Sequence, residues 1–238
     1  MSTNQSVYFT NVEDYFTKVD VYSKIVRNNY MFHKEIFSEL KSFLDKHYKN
    51  KSFKLLDLGC GNAFFMAQVL KDTRVELYTA YDLSSELVEE AKNNMKVVNC
   101  QKVFIVGDIS KDFFSSNLRE QYDIIWSSYA LHHLSWEDKI GFIKACYKRL
   151  KEKSHLIIVD FVNDYNSREE CMKVYNQLVE KNWTILTEKD KKYLYDHVLK
   201  FDFPESFEKY KEIADKAGFK SSKKVFQYDS WAFMIFEN

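Results

Sequence analysis

The sequence predicts an α/β fold: a mostly parallel sheet of seven strands ending in an antiparallel hairpin, with helices placed before it and inserted after its fifth strand. Three observations carry this. Between Phe53 and Phe161, short apolar runs alternate with amphipathic stretches, the pattern of buried parallel strands covered by helices on both faces. The first of these runs opens directly into a Gly-x-Gly turn, Gly59-Cys60-Gly61. Two last runs, near 220–227 and 230–236, leave no room for a crossover helix and so read as an antiparallel pair.

The elements follow in chain order. Residues 1–16, MSTNQSVYFTNVEDYF, lack a charged leader followed by an apolar run, so no signal peptide is expected. Residues 12–50 read as helical, with Phe16, Val19, Tyr22, Ile25 and Val26, then Phe32, Ile36, Phe37, Leu40 and Leu44, recurring at helical spacing. FKLLDL, VELYTAYD, KVFIVGD, YDIIWSSY and SHLIIVDF are the strand candidates of a core spanning 53–161. Helices fall around 62–71, 84–96 and 135–150, with a weaker one near 111–119. Two extra helices, 166–182 and 188–200, form an insertion over 163–204. The segment 205–238 then supplies a helix at about 205–217, ended by Gly218, and the strand pair. With no linker or repeat, residues 1–238 read as a single domain.

Composition narrows the function. Lys+Arg and Asp+Glu both number 35, and a protein that grips nucleic acid through phosphates carries a basic excess that is absent here. Cys60, Cys100, Cys146 and Cys171 are scattered and form no CxxC pair, so neither a disulfide scaffold nor a metal site is expected. No apolar stretch approaches the roughly 18 residues of a membrane span. A soluble cytoplasmic protein is expected. The 20 Phe, 16 Tyr and 4 Trp serve first as core, and a surplus in the flanking helices has the chemistry to line an apolar pocket.

The most informative motif is Leu55-Leu56-Asp57-Leu58-Gly59-Cys60-Gly61-Asn62-Ala63. Glycines let the backbone bend sharply and let a ligand approach without a Cβ in the way. A dinucleotide fingerprint needs a third glycine where this chain has Phe64, and no Walker pattern is present. Asp57 adds nothing to an anion site but suits a ligand with a cationic group, such as an amino acid's ammonium. Asp82 ends the second strand, about 20 positions after the first loop glycine, where a carboxylate accepts both hydroxyls of a ribose. It is equally placed to cap the next helix, unless Ser84 does so. Asp108, in Gly107-Asp108-Ile109, suits an adenine amino group, with Ile109 against the ring, or simply caps its own loop.

Together these pieces resemble the class I S-adenosylmethionine-dependent methyltransferases, closely over 53–161 and more loosely over 205–238. Asp57-x-Gly59-x-Gly61 is similar to that family's first motif, Asp82 to its ribose acid, and Gly107-Asp108-Ile109 to its adenine-binding turn. Tyr122-Asp123-Ile124-Ile125 is similar to its fourth strand. The resemblance implies a Rossmann-like sheet and S-adenosylmethionine as cofactor, with S-adenosylhomocysteine as product. It implies methyl transfer to an oxygen or nitrogen of a small-molecule acceptor. The cofactor-side residues it implies are Asp57, Gly59, Cys60, Gly61, Asp82, Leu83, Asp108, Ile109, Ser127 and Tyr30.

The acceptor end is read from Ser127-Ser128-Tyr129-Ala130-Leu131-His132-His133-Leu134, after the fourth strand. Imidazole titrates near neutrality, so His132 or His133 suits a general base, whereas a structural reading makes one of them the cap of the helix starting near Ser135. Asp160, ending the fifth strand, is expected beside them, where it would orient an imidazole. This His-His…Asp arrangement resembles small-molecule O-methyltransferases of natural-product metabolism. Tyr30-Met31-Phe32-His33, and Asp196-His197 through Asp202-Phe203-Pro204-Glu205, resemble helices that cover the cleft in bacterial small-molecule methyltransferases. Tyr22, His33 and His197 are therefore candidate substrate contacts, against the simpler reading of packed amphipathic helices. Two other functions stay open: methylation of tRNA or protein, and a cofactor-binding regulator without turnover. Segments 12–50 and 163–204 are expected to form a mobile cover, or else fixed core or an oligomer interface.

Overall fold

A computed structural model of the chain describes residues 19–115 and 120–238. The helical stretch expected over 12–50 is not continuous. It runs as α1 (Val19–Arg27) and α2 (His33–Tyr48), separated by a turn, while residues 12–18, with Tyr15 and Phe16, lie outside the described residues. Asn29 and Phe32 break the helix with left-handed backbone angles (φ 57° and 59°). Phe32 has no side-chain oxygen to cap α2; Asn29 Oδ1 instead accepts the Lys34 amide at 3.0 Å.

The core then alternates as expected: β1 (Phe53–Leu58), α3 (Phe64–Leu70), β2 (Val75–Asp82), α4 (Ser85–Asn94), β3 (Gln101–Val106), α5 (Asp112–Ser115), β4 (Tyr122–Ser128), α6 (Trp136–Arg149) and β5 (Leu150–Phe161). Of the weak helix expected at 111–119 only α5 is seen, and residues 116–119 lie outside the described residues. β5 begins at Leu150 rather than Ser154, because Leu150 already pairs with Tyr122 before a register shift in β4. The insertion forms α7 (Arg168–Asn182) and α8 (Glu188–Phe201), followed by α9 (Phe207–Ala217), β6 (Ser221–Tyr228) and β7 (Trp231–Glu237).

Local chemistry sets these boundaries. Ser135, Ser167 and Ser206 cap α6, α7 and α9 through their side-chain oxygens, and Thr187 with Asp190 forms a capping box at the start of α8. Gly218, at φ 111°, ends α9 in the left-handed conformation that favours glycine.

The seven-stranded sheet has the order β3-β2-β1-β4-β5-β7-β6, parallel except for β7, which is antiparallel to both its neighbours. Strand order reverses between β1 and β4, so ligands are expected at the carboxyl ends of those two strands. One face packs under α6 and α9 through Phe142, Ile143, Tyr210 and Ile213. The other packs under α2 and α3 through Ile36, Leu40, Met66 and Leu70. A third apolar cluster joins Ile25 of α1 and Met31 to Met172, Tyr175, Trp183, Leu194 and Val198 of the insertion, seated on Phe161 and Trp231 of the sheet. The two added regions are thus one packed unit above the strand ends. Among the described residues no helix is long and apolar enough to cross a membrane.

Candidate functional site

At the end of β1 the chain turns through Gly59 (φ 81°) and Gly61 (φ 53°). A Cβ on Gly59 would sit 2.9 Å from Ala130 Cβ, so the turn lies tight against the chain leaving β4. Among the described residues there is nothing within 4 Å of where a Gly61 Cβ would be, and they leave that side of the turn open. The Gly59 and Cys60 amides both donate to the Tyr81 carbonyl at 2.9 Å, tying the turn to β2. Cys60 Sγ lies 3.4 Å from the Gly61 carbonyl, and burial pushes this thiol up.

Two acids flank the turn. Asp57 is buried; its Oδ2 accepts the Tyr78 hydroxyl at 2.7 Å, while Oδ1 has no hydrogen-bond partner among the described residues. Burial pushes its pKa up to about 7, against the hydrogen bond from Tyr78. A buried carboxylate oxygen without a donor is costly unless a ligand supplies one. Asp82 accepts the Gly61 amide at 2.7 Å and the Ser84 amide at 3.0 Å, so it braces the turn; burial raises its pKa, opposed by these amides. Ser84, not Asp82, caps α4 by accepting the Leu87 amide, and Leu83 between them is half-buried. Asp108 Oδ1 accepts both the amide and hydroxyl of Ser110 at 2.7 Å, and its Oδ2 lies 3.4 Å from Lys111 Nζ. It caps its own loop, as the simpler reading had it, beside a partly buried Ile109. Ser127 is fully buried and donates to the Leu58 carbonyl at 2.8 Å, so its side chain fixes β1 to β4 just before the glycine turn.

The wall above is aromatic. His33 is buried between Tyr129 (ring centroids 4.4 Å) and Phe65 (5.4 Å), with Tyr22 edge-on at 6.5 Å. Its Nδ1 has no hydrogen-bond partner among the described residues, and burial lowers its pKa to about 4, keeping the ring neutral. Burial, then the nearby Asp82 charge, raises Tyr22 to about 12. Tyr30 instead stacks on Trp183 at 5.1 Å and its hydroxyl accepts the Ile185 amide at 3.1 Å. Tyr30 holds the N-terminal segment to the insertion.

At the ends of β4 and β5, His132 Nδ1 meets Asp160 Oδ1 at 2.6 Å, as the strand pairing predicts, and Tyr210 donates its hydroxyl to Asp160 Oδ2 at 2.8 Å. Burial opposes a charge on His132, but Asp160 and Asp202 outweigh it and raise its pKa. His133 caps no helix, since Ser135 caps α6. Its Nδ1 lies 3.1 Å from Asp202 Oδ1, which is also 3.5 Å from His197 Nε2. Burial lowers His197 to about 4, only partly offset by Asp202, whereas His132, His133 and His197 together hold the Asp202 carboxyl below its usual range against burial. Buried Lys139 donates to the Leu134 and Phe203 carbonyls, and burial brings it to about 8.

Of the sequence-predicted residues, Asp57, Gly59, Cys60, Gly61 and Asp82 meet around the turn, Tyr22 pairs with His33 in the aromatic wall, and His132, His133 and Asp160 meet at the ends of β4 and β5, near His197 of α8; Tyr30 packs on the insertion, and Asp108 and Ser127 bond within their own surroundings. Sequence reasoning missed Tyr78, Tyr129, Tyr210, Lys139 and the pairing of Asp202. No local motif marks these partners, although Asp202 stood in a segment already singled out.

Residues 55–153 match the methyltransferase domain family. The chain is 30% identical over 149 residues to malonyl-[acyl-carrier protein] O-methyltransferase of Priestia megaterium, covering 62% of this chain and 50% of that protein. It is 27% identical over 171 residues to phosphoethanolamine N-methyltransferase of Plasmodium falciparum, covering 71% and 61%. The chain therefore spans only about half to three fifths of these two relatives. Among solved structures it resembles the plantazolicin methyltransferase BpumL in complex with a triazolic desmethylPZN analog and SAH (TM-score 0.69, 16% identity, 98% and 96% coverage). It also resembles magnesium protoporphyrin IX methyltransferase from Synechocystis with bound SAH (TM-score 0.66, 16% identity, 97% and 99% coverage). These two likenesses cover nearly the whole chain and show its fold.

Proposed function

We propose that this chain, a class I S-adenosylmethionine-dependent methyltransferase, moves a methyl group onto an oxygen or nitrogen of a small-molecule acceptor. One observation carries the reading: a buried carboxylate oxygen, Asp57 Oδ1, lies beside an open glycine turn at the switch point of the sheet. That pairing fits a ligand with an ammonium group and a nucleoside, and it fits no phosphate cradle. When bound, the cofactor supplies an electrophilic methyl on a sulfonium. Asp57 would accept from its ammonium, Gly59, Cys60 and Gly61 would give it backbone clearance, and Asp82 with Leu83 would receive the ribose. Asp108 and Ile109 would flank the adenine, and Ser127 keeps β1 and β4 in register just before the glycine turn. The curated relatives act, by their names, on an acyl-carrier-linked malonyl group and on phosphoethanolamine, which favours a small or carrier-linked acceptor over tRNA.

His132 is the general base for an acceptor that must lose a proton. With Nδ1–H donated to Asp160, its Nε2 carries the lone pair. Tyr22 and His33 line the other side, and Tyr30 holds the cover that excludes water from the sulfonium and its nucleophile. Methyl transfer is an in-line displacement governed by approach and desolvation, so no nucleophilic side chain is required. The test is transfer of labelled methyl from S-adenosylmethionine to panels of hydroxyl, carboxyl and amine acceptors, against tRNA and protein. Labelling of a small molecule, reduced in His132→Gln for a hydroxyl acceptor, supports the reading. Labelling of tRNA or protein alone, or binding without turnover on any acceptor, overturns it.

A further inference from the structure

We propose that His132, His133 and Asp202 form a binding site for a divalent transition-metal ion that clasps the insertion onto the strand ends of the core. Their donor atoms all lie within 4.8 Å of one another, although they come from the loop after β4 and from the end of α8. His197 stands beside this group, with Nε2 3.5 Å from Asp202 Oδ1. Ligand atoms around a tetrahedral ion with bonds of about 2.0–2.1 Å stand about 3.3–3.5 Å apart, so closure needs a contraction of roughly an ångström. Imidazoles with one carboxylate suit zinc, cobalt or nickel, not the all-oxygen preference of magnesium or calcium.

The surroundings favour a site over a chance meeting of side chains. A metal-ligating histidine characteristically donates its other ring N–H to a carboxylate, which fixes the tautomer and turns the free nitrogen to the ion. Asp160 does this for His132 at 2.6 Å and is itself held by the Tyr210 hydroxyl at 2.8 Å. The backbone is fixed on both sides. Phe203 N donates to the His132 carbonyl at 2.6 Å, and Arg168 Nε donates to the Asp202 carbonyl at 2.8 Å. His132, His197 and Asp202 are buried, so an ion here is enclosed by protein, as in structural zinc sites. Sequence spacing predicted no metal, because the ligands lie at 132–133 and 197–202 and resemble no short motif.

The clasp stands on geometry alone, but its effect on turnover rests on the base proposed above: an ion on His132 Nε2 occupies the lone pair that the base needs. The test is titration of the chelator-treated full chain with cobalt(II), read by visible absorption, and with zinc(II), read by calorimetry and by thermal melting. The expected result is one ion per chain, a tetrahedral cobalt spectrum and a raised melting temperature. His133→Gln and Asp202→Asn should each weaken binding at least tenfold, and His155→Gln, at the opposite end of the strands, should not. Circular dichroism identifies any variant that fails to fold, and the wild-type spectrum and stoichiometry then decide. Absence of a tetrahedral cobalt spectrum, or zinc binding unchanged in both ligand variants, overturns the site. Metal binding that leaves methyl transfer to a hydroxyl acceptor undiminished keeps the site but removes His132 as base.

Discussion

The two groups of site residues are built differently, although both lie at the carboxyl ends of strands in one sheet, β1 and β2 for the first and β4 and β5 for the second. The glycine turn and its two acids come from one stretch, 57–82: Asp82 braces the turn through the Gly61 and Ser84 amides, and the Tyr78 hydroxyl on the adjacent strand holds Asp57. The histidine end is assembled from β4, β5, α8 and α9, and each member depends on a partner distant in sequence. The first end is set once the sheet forms. In the second, His132, Asp160 and Tyr210 belong to the core, whereas Asp202 and His197 are brought to them by the insertion.

The largest expected effect falls on the histidine end. Asp160→Asn removes the acceptor that fixes the His132 tautomer, and for a hydroxyl acceptor turnover should fall by about 10²–10⁴-fold with KM little changed. Steady-state kinetics checks this, and an unchanged kcat would reduce Asp160 to packing. Trp183→Ala should cost about 3–5 kcal/mol, because a fully buried ring stacked on Tyr30 and edge-on to Tyr175 is lost from the cluster shared by both added segments. Hydrogen exchange should show α1, α7 and α8 losing protection while β1–β5 keep it. Equal loss throughout would make the cover an inseparable part of the core.

Acid should act through His33. Folded, its ring stays neutral down to about pH 4, whereas its ordinary value is 6.5, so between those pH values the unfolded chain binds the extra proton. Stability is therefore full above about 6.5, falls as pH drops towards 4 by up to about 3 kcal/mol, and levels off below. Denaturant titrations of His33→Phe should lose that part of the slope; an identical pH profile would contradict it. The smallest effect is expected at the Lys24–Asp190 pair, 3.1 Å apart between α1 and α8, where Lys24→Met should cost about 0.2–1 kcal/mol and fade in salt.

The same contrast explains what the sequence made legible. Strand periodicity and the Asp57-to-Gly61 turn are local features, so the sheet and the carboxylate end could be read directly. The His132–Asp160 pairing was legible too, because β4 and β5 are adjacent and parallel and their ends must meet. Tyr210 on Asp160 and Asp202 between His133 and His197 depend on how α8 and α9 cross the sheet, which no periodicity specifies. Tyr30 illustrates the same limit: its place in the sequence suggested the cofactor, yet its ring packs on Trp183, some 150 positions away.

Calorimetry with S-adenosylhomocysteine on the wild type and on Asp82→Ala tests the central claim most directly, because it needs no acceptor and touches only the carboxylate end. The account predicts one site per chain in the wild type. In a folded Asp82→Ala, affinity should weaken by about 1–3 kcal/mol, the scale for losing hydrogen bonds to a charged group. No binding by the wild type, or equal affinity in the variant, would contradict it.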